Sequence, residues 1–256
     1  MGLLEEGGLP VLSIVIPTLN EARSINVTLD AVMSIKGRVE VIIVDSGSLD
    51  GTVEIVRGRG VRLVTSERGR GIQMHAGACA AGGEALWFLH ADTRPSADCA
   101  ERIVEALRDP ELVAGNFSVR FDGDRRAARF LTWLYPRLRR LGLCYGDSAI
   151  FVRREAYGQV GGFRSFPIFE DLDLVRRLRK LGRVAHLPAI VTTSSRRFEG
   201  RSFTITFARW SFLQVLYWLG VHPRRLGQLY APVRHADEKL KRNDGSSEAR
   251  RETHSS

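Results

Sequence analysis

Three acidic clusters carry residue types able to act on a phosphorylated substrate: Asp45-Ser46-Gly47-Ser48, His90-Ala91-Asp92 and Phe169-Glu170-Asp171. A carboxylate such as Asp92 can coordinate a hard divalent cation, which in turn holds phosphate oxygens. A competing reading makes Asp92 a helix cap, because Ser96 and a helical pattern follow it. After Asp45, small residues let backbone N–H groups approach a ligand, while the carboxylate can accept from a base or a ribose hydroxyl. The same stretch also reads as a turn, with Asp50 or Thr52 capping the next helix. Glu170 and Asp171 stand before an Arg-rich helix, where two acids suit the helix dipole. One of them can instead face a site as a general base, while the other points elsewhere. Opposite charge comes from Gly69-Arg70-Gly71, whose Arg70 and backbone amides can face phosphates at a helix start. That stretch imitates a dinucleotide fingerprint, but the third glycine is replaced by Met74.

These clusters need a frame. Residues 11–17 form a continuous β-branched run closed by Pro17, the pattern of a strand buried on both faces. Thr18-Leu19-Asn20-Glu21 is the turn at its end, and residues 22–35 are periodic enough for a helix. Similar runs at 39–44, 61–65 and 86–90 alternate with helical patterns at 52–58, 72–82 and 96–107. Four β-α units predict an α/β fold with a mostly parallel sheet flanked by helices. Ligands bind beyond the carboxyl ends of such strands, so three polar clusters fall on one rim: Thr18 to Glu21, Asp45 to Ser48, and His90 with Asp92. Pro95 is expected to forbid further strand pairing after the last of them. Beyond Asp109-Pro110 the rhythm changes. An alternating stretch at 113–121 predicts an antiparallel strand, followed by a basic aromatic helix over 125–141. A strand at 149–152, helices at 153–160 and 172–181, a strand near 183–187 and a long aromatic helix at 202–219 complete a mixed half.

The chain has 256 residues, 44% of them apolar, which suits one large domain with a substantial core. Its net charge of +9 points to an anionic partner: nucleic acid, anionic lipid or a phosphorylated small molecule. Arg greatly outnumbers Lys, which suits bidentate phosphate contacts. A nucleic-acid-binding module is not expected, because neither a recognition helix nor strand-borne stacking aromatics are in evidence. Three scattered cysteines without metal-ligand spacing read as reduced thiols. The acidic start, Met1 to Glu6, fits no secretory or myristoylation signal, so the expected compartment is cytoplasmic.

Five segments occur in the order seen in family 2 glycosyltransferases. They are Ser13 to Glu21, Val44 to Thr52, Arg70-Gly71, Phe88 to Thr93 and Phe169 to Asp171. The chain resembles that family from residue 11 to about 235. The resemblance implies a GT-A fold, an inverting transfer from a nucleotide-diphosphate sugar, and a Mg²⁺ or Mn²⁺ ion. By position, Pro17, Leu19, Asn20 and Glu21, with Thr18 among them, would wrap the nucleoside. Asp45 would contact the base, with Ser46, Gly47 and Ser48 beside it. Arg70 and Gly71 would lie by the ribose-diphosphate. His90, Ala91 and Asp92 stand in place of the family's Asp-x-Asp metal motif, making Asp92 and His90 the candidate metal ligands. Asp171 would be the catalytic base, with Glu170 its neighbour. The departure is His90 where many members carry Asp, and imidazole suits a hard cation less well than carboxylate.

On the acceptor side the candidates are Gly146, Asp147, Arg196 and Arg197. No Gln precedes Arg196-Arg197-Phe198, which argues against a polymer synthase. Arg209 and Gln214 interrupt the apolar helix near 203–221, and the 125–141 helix pairs aromatics with Arg. Such helices lie well in a membrane interface, and the same pattern equally fits core-packing or dimer helices. The expected acceptor is therefore lipid-like or a small molecule, and the expected location the inner face of the cell membrane. The remaining expectation is a non-catalytic nucleotide-sugar-binding protein. The domain plan is an extension at 1–10, one domain at 11–234 divided near 109, and a disordered charged tail at 235–256.

Overall fold

The computed structural model describes residues 12–122, 129, 132–133, 137, 149–194 and 203–229. Gly146, Asp147, Arg196, Arg197, the 1–10 extension, most of the 125–141 helix and the 235–256 tail lie outside them.

The amino-terminal half runs β1 (Leu12–Thr18), α1 (Ile25–Met33), β2 (Val39–Asp45), α2 (Thr52–Gly58), β3 (Arg62–Thr65), α3 (Arg70–Ala80) and β4 (Ala85–Phe88). Then come β5 (Thr93–Pro95), α4 (Cys99–Ala106), β6 (Leu112–Phe121), β7 (Phe151–Arg153), α5 (Arg154–Gln159), α6 (Glu170–Leu178) and β8 (Arg183–Thr193). Helices α7 (Phe203–Trp218) and α8 (Pro223–Leu229) follow, the last unforeseen from sequence.

One eight-stranded sheet has the order β3-β2-β1-β4-β7-β6-β8-β5. Strands β1 to β4 are mutually parallel. β7 runs antiparallel to β4 and to β6, while β8 is parallel to β6. It follows that β1, β2, β3, β4, β6 and β8 all point one way and share one carboxyl-terminal rim. The stretch at 113–121 is thus only half antiparallel: β6 opposes β7 and runs with β8. The β8 strand continues well beyond residue 187, to Thr193.

Pro95 corrects a second expectation. β5 pairs antiparallel with β8, Pro95 opposite Val191. It does so at the edge of the sheet, where a residue without an N–H is tolerated.

β1 is buried along its whole length, as its unbroken apolar run requires. Leu12, Ile14 and Ile16 pack on one face with α1, α2 and α4. Val15 packs on the other with Met74 and Ala78 of α3, Tyr157 of α5 and Leu174 of α6. Small residues let α3 approach closely: a Cβ on Gly77 would lie 2.3 Å from Val15 Cγ1. The helix is held at its far end by Arg154, whose guanidinium donates to the carbonyls of Ala78 and Ala81.

Candidate active site

The rim is built from the ends of β1 and β2. The carboxylate of Asp45 is almost wholly buried. Its Oδ1 accepts from Thr18 Oγ1 at 3.0 Å and Ser48 Oγ at 2.5 Å. Its Oδ2 accepts from the N–H groups of Gly47 and Ser48, both at 2.9 Å. Both of its oxygens thus tie the end of β1 and the 46–48 loop together, so Asp45 organises the rim. Asn20, in the left-handed region at φ 55°, donates its N–H to Ser48 Oγ at 2.8 Å and accepts from Leu49 N–H at 2.8 Å. Glu21 N–H donates to Thr52 Oγ1, and Ala22 N–H to Asp50 Oδ2. Asp50 and Thr52, offered by sequence as helix caps, therefore clamp one loop to the other. Gly51 is the residue at the cap position.

Gln73 completes this corner and was not singled out from sequence. It is buried on α3, and its Nε2 donates to the carbonyls of Thr18 and Val44, both at 2.8 Å. One amide thereby holds the carboxyl ends of β1 and β2 against the first turn of α3. The available signal was a long polar side chain on the apolar face of a helix otherwise built from small residues.

One turn earlier, Arg70 opens α3 and its Nε donates to Glu170 Oε1. Glu170 is buried, while the Arg70 side chain is 36% exposed. Gly71 makes the approach possible: a Cβ there would meet the Arg164 carbonyl at 2.7 Å and Glu170 Cβ at 3.3 Å. Two motifs 100 residues apart are thus brought into direct contact. Glu170 and Asp171 lie inside the first turn of α6, not before it, with Phe169 at the cap in the left-handed region. Asp171 is buried and its Oδ1 accepts from Leu172 N–H at 2.8 Å. Asp173, also in that turn, pairs with Arg177 at 2.8 Å. The acids do complement the helix dipole, but Glu170 has in addition a specific cationic partner.

His90, Ala91 and Asp92 follow β4 on the same rim. Thr28 of α1 donates to the Ala91 carbonyl at 2.8 Å, and Thr193 at the end of β8 approaches Asp92 Oδ1 at 3.5 Å. Asp92 caps no helix, since α4 begins at Cys99 with Asp98 before it. Among the described residues no group of three or more His, Cys, Asp or Glu side chains could hold a metal alone. Asp92 supplies the one carboxylate needed by a Mg²⁺ ion that completes its shell from a diphosphate and water, and His90 is the poorer ligand for a hard cation. A groove of about 300 Å³ lined by Val32, Val39, Arg59 and Arg62 lies at the opposite, amino-terminal end of the strands.

Residues 13–163 match the family described as Glycosyl transferase family 2. A PGL/p-HBAD biosynthesis glycosyltransferase of Mycobacterium bovis is 30% identical over 210 residues, covering 77% of this chain and 80% of that protein. Among solved structures, a mannosyltransferase from Pyrobaculum calidifontis in complex with GDP-Man and Mn²⁺ superposes with a TM-score of 0.63 at 24% identity. The match covers 81% of this chain but only 62% of that one. Glucosyl-3-phosphoglycerate synthase from Mycobacterium tuberculosis, with Mn²⁺, UDP and product bound, gives 0.56 at 22% identity, covering 83% and 81%. The shared sheet and the family match lead to one conclusion: the chain belongs to glycosyl transferase family 2 and is a glycosyltransferase of the GT-A fold.

Proposed function

We propose that this enzyme moves a hexosyl group from a nucleotide-diphosphate sugar to a hydroxyl, carboxyl or phosphate of an acceptor, with inversion at the anomeric carbon. The observation that carries this reading is the contact between the starts of α3 and α6. There Arg70, which would meet the diphosphate, pairs with Glu170, the sequence neighbour of Asp171, which would take the acceptor proton. The nucleoside would lie along Pro17 to Glu21 and the Ser46–Ser48 loop, whose shape Asp45 maintains.

A hydroxyl acceptor attacks the anomeric carbon from the side opposite the leaving group and passes its proton to Asp171, while an ionised carboxylate or phosphate attacks without that transfer. The bond from that carbon to the phosphate oxygen breaks at the same time, and the nucleoside diphosphate departs with the electron pair. A single displacement of this kind inverts the centre. Arg70 and the amides at the start of α3 stabilise the charge developing on the diphosphate. Asp92, with His90 beside it, would hold Mg²⁺ or Mn²⁺, which when bound neutralises further phosphate charge. Glu170 keeps Arg70 aimed at this corner. For the acceptor we favour a lipid-like molecule met at the inner membrane surface, from the cytoplasm. Among the described residues no helix is long and apolar enough to cross a membrane.

The test has two parts. Melting temperature is first measured against a panel of nucleotide-sugars with Mn²⁺, because a ligand bound only by the native state raises it. The product's anomeric configuration is then read by proton NMR. A donor-dependent rise and an inverted product are expected. Retention of configuration would reject the single displacement and the role given to Asp171.

A further inference from the structure

Helix α7 is apolar around most of its circumference, and only part of it is covered. Leu213 is buried against Ile168, Phe169, Leu172 and Leu226, with Trp210 and Tyr217 packed alongside. The outer side presents Ile205 at 70% exposure, Phe212 at 59%, Val215 at 46%, Trp218 at 57% and, just beyond the helix, Leu219 at 75%. Positions 205, 212, 215 and 219 recur at three, four and seven residues, so they line one stripe. A contiguous apolar strip of this size marks an interaction surface.

Charge identifies the partner. Between residues 203 and 229 the chain carries Arg209, Arg224 and Arg225 and no acidic residue. All three arginines are exposed. The Arg209 guanidinium donates to the Leu229 carbonyl and so ties α7 to α8. A second copy of the chain would bring arginine against arginine across this face with no acid to answer it. An anionic bilayer answers both features, apolar chains for the stripe and phosphates for the arginines.

We propose that the outer stripe of α7, together with the exposed Arg209, Arg224 and Arg225 of α7 and α8, lies along the surface of an anionic membrane. The inner side of the same helix rests on Phe169 and Leu172, the residues that bracket Glu170 and Asp171. Docking therefore holds the catalytic rim at the level of the lipid headgroups. The acceptor is then a lipid whose polar head reaches Asp171, a step that rests on the reading of Asp171 as the base.

The full chain is sedimented with vesicles of phosphatidylcholine alone and of phosphatidylcholine mixed with phosphatidylglycerol, at low and high salt. Binding to the anionic vesicles that weakens with salt is expected. Phe212→Ser combined with Leu219→Ser should weaken it by about tenfold or more, judged from the apolar area withdrawn. Arg224→Glu with Arg225→Glu should weaken it comparably without touching the core. Both variants should keep the wild-type melting temperature and its response to donor. No binding to either vesicle overturns the proposal, as does undiminished binding by both double variants. A dimer in light scattering that the Phe212/Leu219 variant converts to monomer also overturns it, and assigns the stripe to a second copy. An Asp171→Asn chain that still binds vesicles separates failure of the base assignment from failure of the membrane face.

Discussion

Gln73 shows how much of this site depends on a single side chain that touches no expected substrate. Its amide is the shared donor for two buried carbonyls at the ends of β1 and β2. Gln73→Ala should cost about 1–3 kcal/mol in denaturant unfolding, since two buried hydrogen bonds are lost even though the Thr18 carbonyl keeps the Ser46 N–H. Donor affinity should fall with it, because the loops that would receive the nucleoside hang from those strand ends. Wild-type stability in Gln73→Ala would mean that the corner is held otherwise. Asp45 carries the complementary lesson. Residue type and position nominate it for a ligand, but spacing does not disclose which oxygens the neighbouring loop already occupies. Four hydrogen bonds from Thr18, Gly47 and Ser48 fix the carboxylate at the end of β2. The Arg70–Glu170 pair was equally hidden. Each residue was nominated alone, and only the close packing at Gly71 shows that they act together.

At the level of elements, the parallel half was readable because a strand buried on both faces has an unmistakable apolar run. Predicted and observed limits of β1, β2 and β3 differ by about a residue, the usual uncertainty of an element end. The second half was less readable, because its strands alternate and their direction depends on which neighbour each one meets. β5 illustrates this: its pairing depends on an edge that only the folded sheet possesses. The β1–β2 pair also carries a pH dependence. Burial alone would raise the carboxyl of Glu40, but hydrogen bonds from Ser13 Oγ and the Gly82 and Gly83 N–H groups, with Arg62 nearby, outweigh it. The folded-state value lies below the ordinary 4.5. A lowered carboxylate contributes stability that is complete above the unfolded value and is lost as pH falls through the folded one. Unfolding free energy should therefore decline on acidification below about pH 4.5, more steeply in the wild type than in Glu40→Gln. Parallel acid profiles for the two chains would remove Glu40 from this account.

Across the whole molecule, the fold divides labour between two ends of one sheet. The carboxyl-terminal rim carries the polar ends of β1, β2 and β4, while the amino-terminal end holds the Ser13–Glu40 hydrogen-bond cluster and the groove beside Arg59 and Arg62. This is why the order of motifs was informative before any coordinates: strands that all point one way deliver their polar ends to one place. The positive charge, unspecific in composition, includes three exposed arginines on the same two helices as an apolar stripe facing away from the core. On the proposed reading, acidic residues at the start of α6 and basic residues around α7 would serve different partners, an acceptor proton and a lipid surface.

The most direct test of the central claim compares the wild type with Asp171→Asn, which keeps an oxygen for the Leu172 N–H. Nucleoside diphosphate release and donor-induced melting shift are measured on the same samples with Mn²⁺. The account predicts that release is abolished in the variant while the shift is retained. Release at the wild-type rate by Asp171→Asn would contradict it.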